Sequence, residues 1–95
     1  MPKTYMINGE EVELFTIGEL ADQLDRQRQT IRKWEREGII PAATFRSKSG
    51  RRLYTRKQIN AIVDTVNTFE LRQGMAIPRE FKEQVAEAFA KATND

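Results

Sequence analysis

The sequence predicts a mainly α fold with a small β component: a winged helix-turn-helix carrying an N-terminal β-hairpin and an additional C-terminal helix. Three observations lead there. Two short segments of helical periodicity, ending near Leu24 and starting near Gln27, are separated by only Asp25 and Arg26, the spacing of two helices joined by a tight turn. A Ser47-Lys48-Ser49-Gly50 turn sits between residues able to form short strands, which reads as a wing. Thr16 with Glu19, and Thr55 with Gln58, are each spaced as a capping box ahead of an apolar stripe.

In chain order, Thr4 to Ile7 and Glu11 to Phe15 flank Asn8-Gly9, the dipeptide best suited to the positive φ angles of a type I′ turn, and predict a hairpin. Thr16 caps the first helix, where Ile17, Leu20, Ala21 and Leu24 recur at i, i+3, i+4 and i+7 and leave Glu19, Asp22 and Gln23 outside. The second helix is expected from Gln27 to Glu37, stopped by Gly38 at a left-handed C′ position with Pro41 soon after. At 100° per residue, Arg28, Gln29, Arg32, Lys33 and Arg36 fall within about 140° of arc, opposite Ile31, Trp34, Gln27 and Thr30. Trp34 shares a face with Ile31 and is assigned to the core.

The stretch Ile39 to Ala43, together with Phe45 to Tyr54, supplies the short strands of the wing, with Tyr54 packing beneath it. Thr55 then caps a third helix with a stripe of Ile59, Ile62, Val63, Val66 and Phe69, expected to reach about Gln73 and to stop at Gly74. Pro78 is expected at the first position of a last helix whose apolar residues are Phe81, Val85, Ala88, Phe89 and Ala92. Ninety-five residues support one core of about twenty apolar side chains, so a single domain is expected: a hairpin over 1–15, a helix-turn-helix and wing over 16–73, and a terminal helix over 74–95.

Composition narrows the function. The chain has no cysteine and no histidine, which removes disulfides, thiolate metal sites and the commonest general base. No cofactor, metal site or catalytic residue is expected, and an enzyme is not. No apolar run is long enough to span a bilayer and no signal-peptide pattern opens the chain, so a cytoplasmic protein is expected, nucleoid-associated or in the host cytoplasm if phage-encoded. The formal charge is +2, but the segment from Arg26 to Lys57 holds eleven basic residues against two acids, a net of +9; the other five basic and twelve acidic residues leave −7. Such a dipole suits a surface that meets a polyanion.

An α-helix fits the major groove, and arginine and glutamine can bond bidentately to guanine and adenine edges. Arg28, Gln29, Arg32 and Lys33, with Arg36 on the same face, are therefore the candidate readers. Arg46, Lys48, Arg51 and Arg52 on the wing are candidates for phosphate or minor-groove contact. Arg56 and Lys57, in the first turn of the third helix, sit where a helix N-terminus favours phosphate.

Three blocks, Thr16-Ile17-Gly18-Glu19-Leu20-Ala21, then Thr30 to Pro41 (TIRKWEREGIIP), then Gly50-Arg51-Arg52-Leu53-Tyr54, resemble in order and spacing the DNA-binding domain of MerR-like regulators. The resemblance covers about Phe15 to Phe69. It implies a winged helix whose second helix enters the major groove, with Arg32 near the backbone or bases and Arg52 at the wing base. Asp25-Arg26-Gln27 departs from the glycine, apolar and small capping residues usual in that turn. About twenty residues follow Gln73, where the family commonly carries a long dimerising helix and an effector domain; this looks more like the small MerR-like proteins of phages and mobile elements.

The expected function is sequence-specific binding of double-stranded DNA by a transcriptional regulator, with a second copy of the chain, RNA polymerase or a recombinase as further partners. A palindromic site would mark that role. A DNA-architectural factor, such as an excisionase or a packaging subunit that recognises phage DNA, would instead favour direct repeats and induced bends. A protein-interaction module would use the Phe81, Val85 and Phe89 stripe, unless that stripe packs on the third helix as core.

Overall fold

Asn8 and Gly9 adopt φ of 54° and 80°, the left-handed pair that a type I′ hairpin needs. In a computed structural model, which describes residues 3–72 and 74–94, they join β1 (Lys3–Ile7) to β2 (Glu10–Thr16). The chain continues as α1 (Ile17–Leu24), α2 (Arg28–Arg36), β3 (Phe45–Arg46), β4 (Arg52–Thr55), α3 (Arg56–Thr68) and α4 (Arg79–Asn94). The four strands form one antiparallel sheet in the order β1-β2-β4-β3, so the N-terminal hairpin and the wing are halves of one sheet. Phe15 faces Tyr54 and Thr16 faces Leu53 where the halves meet.

Strand β2 runs straight into α1, and β4 straight into α3, each through a capping box. Thr16 accepts from the Glu19 amide at 3.2 Å while the Thr16 amide donates to Glu19 at 2.9 Å; Thr55 and Gln58 repeat the exchange at 3.1 and 3.0 Å. Both exchanges satisfy amides that a helix start leaves unpaired. Gln58 does more: its Nε2 donates to Thr44 and to Thr93, each at 2.9 Å, tying α3 to the entry of the wing and to the end of α4.

The three consecutive helices α1, α2 and α3 end in the same Schellman geometry. The paired bonds run from Arg26 to Ala21 and Asp25 to Asp22, from Ile39 to Trp34 and Gly38 to Glu35, and from Leu71 to Val66 and Glu70 to Asn67. Only α2 uses glycine for the left-handed residue, Gly38 at φ 73°; Asp25 and Glu70 hold φ of 53° and 51° in the other two.

Several boundaries differ from expectation. Helix α3 stops at Thr68, with Phe69 as its cap. Glu70 turns the chain there so that Leu71 enters the core beside Val66; Gly74 instead makes a turn in the following linker, where the Met75 amide donates to the Arg72 carbonyl at 3.1 Å. Gln73, the expected end of the helix, lies outside the described residues, as do Met1 and Pro2 of the expected hairpin segment. Helix α2 begins one residue late and ends one early, Gln27 and Glu37 being its caps. Pro78 precedes α4 and accepts from the Phe81 amide at 3.2 Å. Ile39 to Ala43 forms no strand, because Ile39 and Ile40 are drawn into the core.

That core is built from Phe15 and Tyr54 of the sheet, Leu20, Ala21 and Leu24 of α1, Ile31 and Trp34 of α2, Ile59, Ile62 and Val66 of α3, and Phe81, Val85 and Phe89 of α4. The α4 stripe packs on α3, and the Phe81 ring meets those of Trp34 and Phe69 edge-on at 6.1 and 5.7 Å. Each such side chain contributes roughly 1.5 to 3 kcal/mol by leaving water, so the terminal helix is an integral part of the fold.

Candidate nucleic-acid interface

Helix α2 buries Ile31 and Trp34 and leaves Arg28, Gln29, Arg32, Lys33 and Arg36 exposed, the split its periodicity implies. Its N-cap, Gln27, makes no side-chain capping bond; the Gln27 carbonyl accepts from the Thr30 amide at 3.0 Å. The Arg28 guanidinium lies across Gly18 of α1, where a Cβ would come within 2.8 Å of its Nε.

A groove of about 370 Å³ separates α2 from the wing, with the first turn of α1 as its floor. Arg28 and Arg32 line it from α2, Arg51 and Arg52 from the wing, with Thr16, Ile17, Gly18, Ser49 and Gly50 between them. Four arginines spread over 24 positions of sequence thus line one cleft. A cleft lined by one sign of charge focuses potential and raises the local concentration of a polyanion.

Local hydrogen bonds close the wing tip. The Ser47 amide donates to the Arg51 carbonyl at 3.0 Å, the Gly50 amide to Ser47 at 2.9 Å, and the Arg51 amide to Ser47 Oγ at 3.1 Å. Arg46 donates back to the Gly50 carbonyl at 3.0 Å, while Lys48 is exposed at the tip. At the wing base, Arg52 Nε donates to Glu35 Oε1 at 2.8 Å, and the two side chains are 28% and 9% exposed. The other Glu35 oxygen accepts from the Ala43 amide at 3.3 Å.

Not every expected contact residue lines this groove. Arg56 turns back onto β2, 3.7 Å from Glu13 and stacked 4.3 Å over the Phe15 ring. Lys57 lies with it in a separate depression that Glu11 and Glu13 also line. Lys33 is 3.9 Å from Glu37 and lines another depression beside Trp34 and Arg72.

The family model for MerR HTH family regulatory proteins matches residues 15–76, the span from the end of β2 through the wing and α3 into the linker that follows. The chain belongs to the MerR HTH family. MerR-family proteins are DNA-binding regulators rather than enzymes, and duplex DNA is the partner that membership gives this chain. No curated protein matches it. Among the described residues, no helix is long and apolar enough to cross a membrane.

Within this MerR-family domain, three residues matter that sequence reasoning left aside. Gly18 makes room for Arg28, Glu35 holds Arg52, and Arg26 braces the turn between α1 and α2. Arg26 donates to the carbonyls of Leu24 and Leu71 at 2.9 and 3.1 Å and lies 5.9 Å over the Trp34 ring. The signal available for Glu35 was its being one of two acids in a segment of eleven bases. Beneath the wing, Tyr54 is fully buried and its hydroxyl has no hydrogen-bond partner among the described residues; burial, with Glu35 nearby, pushes its pKa up to about 12.

Proposed function

We propose that the chain is a sequence-specific regulator that reads duplex DNA with the exposed face of α2 in the major groove and the Phe45–Tyr54 wing against the flanking backbone. One observation carries the reading: Arg28 and Arg32 of α2 and Arg51 and Arg52 of the wing face one groove. Arg28 and Arg32, with Gln29, Lys33 and Arg36 further round the helix, contact bases or the adjacent phosphates. Arg51 and Lys48 supply phosphate charge from the wing, and Arg46 orders its tip. Arg56 and Lys57 flank the acidic part of β2 and contribute at most to the long-range field. The apolar stripe of α4 is occupied by α3, which leaves the interaction-module reading without its working surface.

Fluorescence anisotropy on random-sequence duplexes across a salt series, followed by selection of the tightest binders, tests this. Affinity falls steeply with salt and a defined motif emerges. Arg32→Ala costs roughly 1 to 3 kcal/mol on that motif and relaxes it at one position, whereas Arg51→Ala weakens all sequences alike. A palindromic motif identifies a regulator acting as a pair of subunits, and direct repeats with a large bend identify an architectural factor. Weak binding with no enriched motif, unchanged in both variants, overturns the reading.

A further inference from the structure

Glu35 projects from the helix that carries the candidate readers, yet its side chain is 9% exposed while Arg28, Arg32 and Arg36 on the same helix face solvent. Both of its oxygens are used. One accepts from Arg52 Nε on β4 at 2.8 Å and the other from the Ala43 amide, on the chain entering β3, at 3.3 Å. A single carboxylate therefore joins α2 to β4 and to the chain leading into β3, across 17 positions of sequence on one side and 8 on the other.

A half-buried ion pair of this kind adds little net stability, because desolvation offsets most of the attraction. Its effect lies in geometry: a charge-assisted bond is short and directional and restricts the groups it joins. It also cancels charge. A guanidinium already paired at 2.8 Å contributes no net positive charge, and an arginine releases counterions from DNA only to the extent that it neutralises a phosphate. Arg51, the next residue, is exposed and lines the same groove.

We infer that Glu35 is a positioning residue: the Glu35–Arg52 pair is a strut that sets the angle between the recognition helix and the wing, and Arg51 rather than Arg52 provides the phosphate charge. This rests on the DNA-binding reading above.

Two measurements test the strut. In the DNA-free protein, ¹⁵N relaxation of the wing amides of Arg46, Ser47 and Arg51 shows increased mobility relative to α2 in Glu35→Gln and in Arg52→Ala, with the core amides of α1 and α3 unchanged. On DNA, Arg51→Ala lowers the slope of log affinity against log salt by about 0.9, the value for one phosphate contact. Arg52→Ala leaves that slope unchanged but lowers the ratio of specific to non-specific affinity roughly tenfold, within the range for coupling inside one polar network. Glu35→Gln lowers the same ratio and steepens the slope, because it unmasks the Arg52 charge. An Arg52→Ala slope that drops as far as that of Arg51→Ala, or wing amides that stay rigid in both strut variants, overturns the inference. Failure of the wild type to select any motif overturns the DNA reading instead, and the free-protein relaxation still decides whether the strut holds the wing.

Discussion

The guanidinium of Arg28 rests on the backbone of Gly18, so close that a methyl group there would lie 2.8 Å from Nε and 2.9 Å from one terminal nitrogen. Gly18 has no positive φ to require glycine; what requires it is Arg28. The atoms that would collide belong to the end of a flexible side chain, so Gly18→Ala is expected to fold. Alanine in place of a helical glycine stabilises by roughly 0.5 to 1 kcal/mol, which raises the thermal midpoint by a few degrees for a domain of about this size. Specific DNA affinity falls nonetheless, because Arg28 is displaced from the groove. Scanning calorimetry and anisotropy on the same variant check both halves, and an unchanged affinity would mean that Arg28 does not act from this position.

Tyr54 gives a second test. Its hydroxyl is buried without a partner among the described residues, so Tyr54→Phe removes a desolvated polar group at little cost in shape and is expected to be neutral or mildly stabilising at pH 7. The wild type has an alkaline liability the variant lacks. With the folded pKa at about 12 against an ordinary value of 10.0, the unfolded chain loses this proton first. The stabilising contribution is therefore complete below pH 10 and is lost as pH rises toward 12. Urea unfolding at pH 8 and pH 11 is expected to show the variant gaining on the wild type by roughly 1 to 2 kcal/mol, since a tenfold difference in proton affinity between the folded and unfolded chain is worth about 1.4 kcal/mol.

The left-handed residues at the helix ends predict opposite effects from opposite substitutions. Glu70 is exposed and holds φ 51°, a conformation that costs a side chain of this kind roughly 1 kcal/mol. Glu70→Gly is expected to raise stability by up to about 0.6 kcal/mol once glycine's greater freedom in the unfolded chain, worth about 0.4 to 1 kcal/mol, is counted. Gly38→Ala, at φ 73°, lowers it by about 1 kcal/mol. Denaturant midpoints at constant m-value measure both, and a destabilised Glu70→Gly would show that the Glu70 side chain contributes more than its backbone strain costs.

Phe81 is fully buried between Trp34 and Phe69. Phe81→Ala is expected to cost about 3 to 5 kcal/mol and, by loosening the support beneath Trp34, to reduce DNA binding with it. A surface-exposed role for α4 would instead leave the denaturation midpoint nearly unchanged.

Much of this molecule was legible locally. Asn8-Gly9, the Thr16–Glu19 and Thr55–Gln58 boxes and Gly38 each act through bonds spanning a few residues, so the residues themselves are sufficient evidence. The same rule misjudged α3, because glycine is only the easiest left-handed residue: the helix ends at Thr68, Glu70 takes the left-handed turn that carries Leu71 into the core, and Gly74 comes too late. Arg56 shows the limit of reading charge by position, since its place at a helix start also lies beside Glu13 and Phe15 of a distant strand.

Periodicity, capping and composition are properties of neighbours along the chain, so the order of elements, the buried and basic faces of α2 and the concentration of positive charge between Arg26 and Lys57 follow from the residues alone. The sharing of one sheet by hairpin and wing, the closing of the core by α4 and the meeting of particular arginines arise when the elements pack together. Arg28 reaches the groove because Gly18 leaves space under it, and Arg52 is paired because Glu35 comes within 2.8 Å. Both depend on distances between elements, which no local pattern encodes.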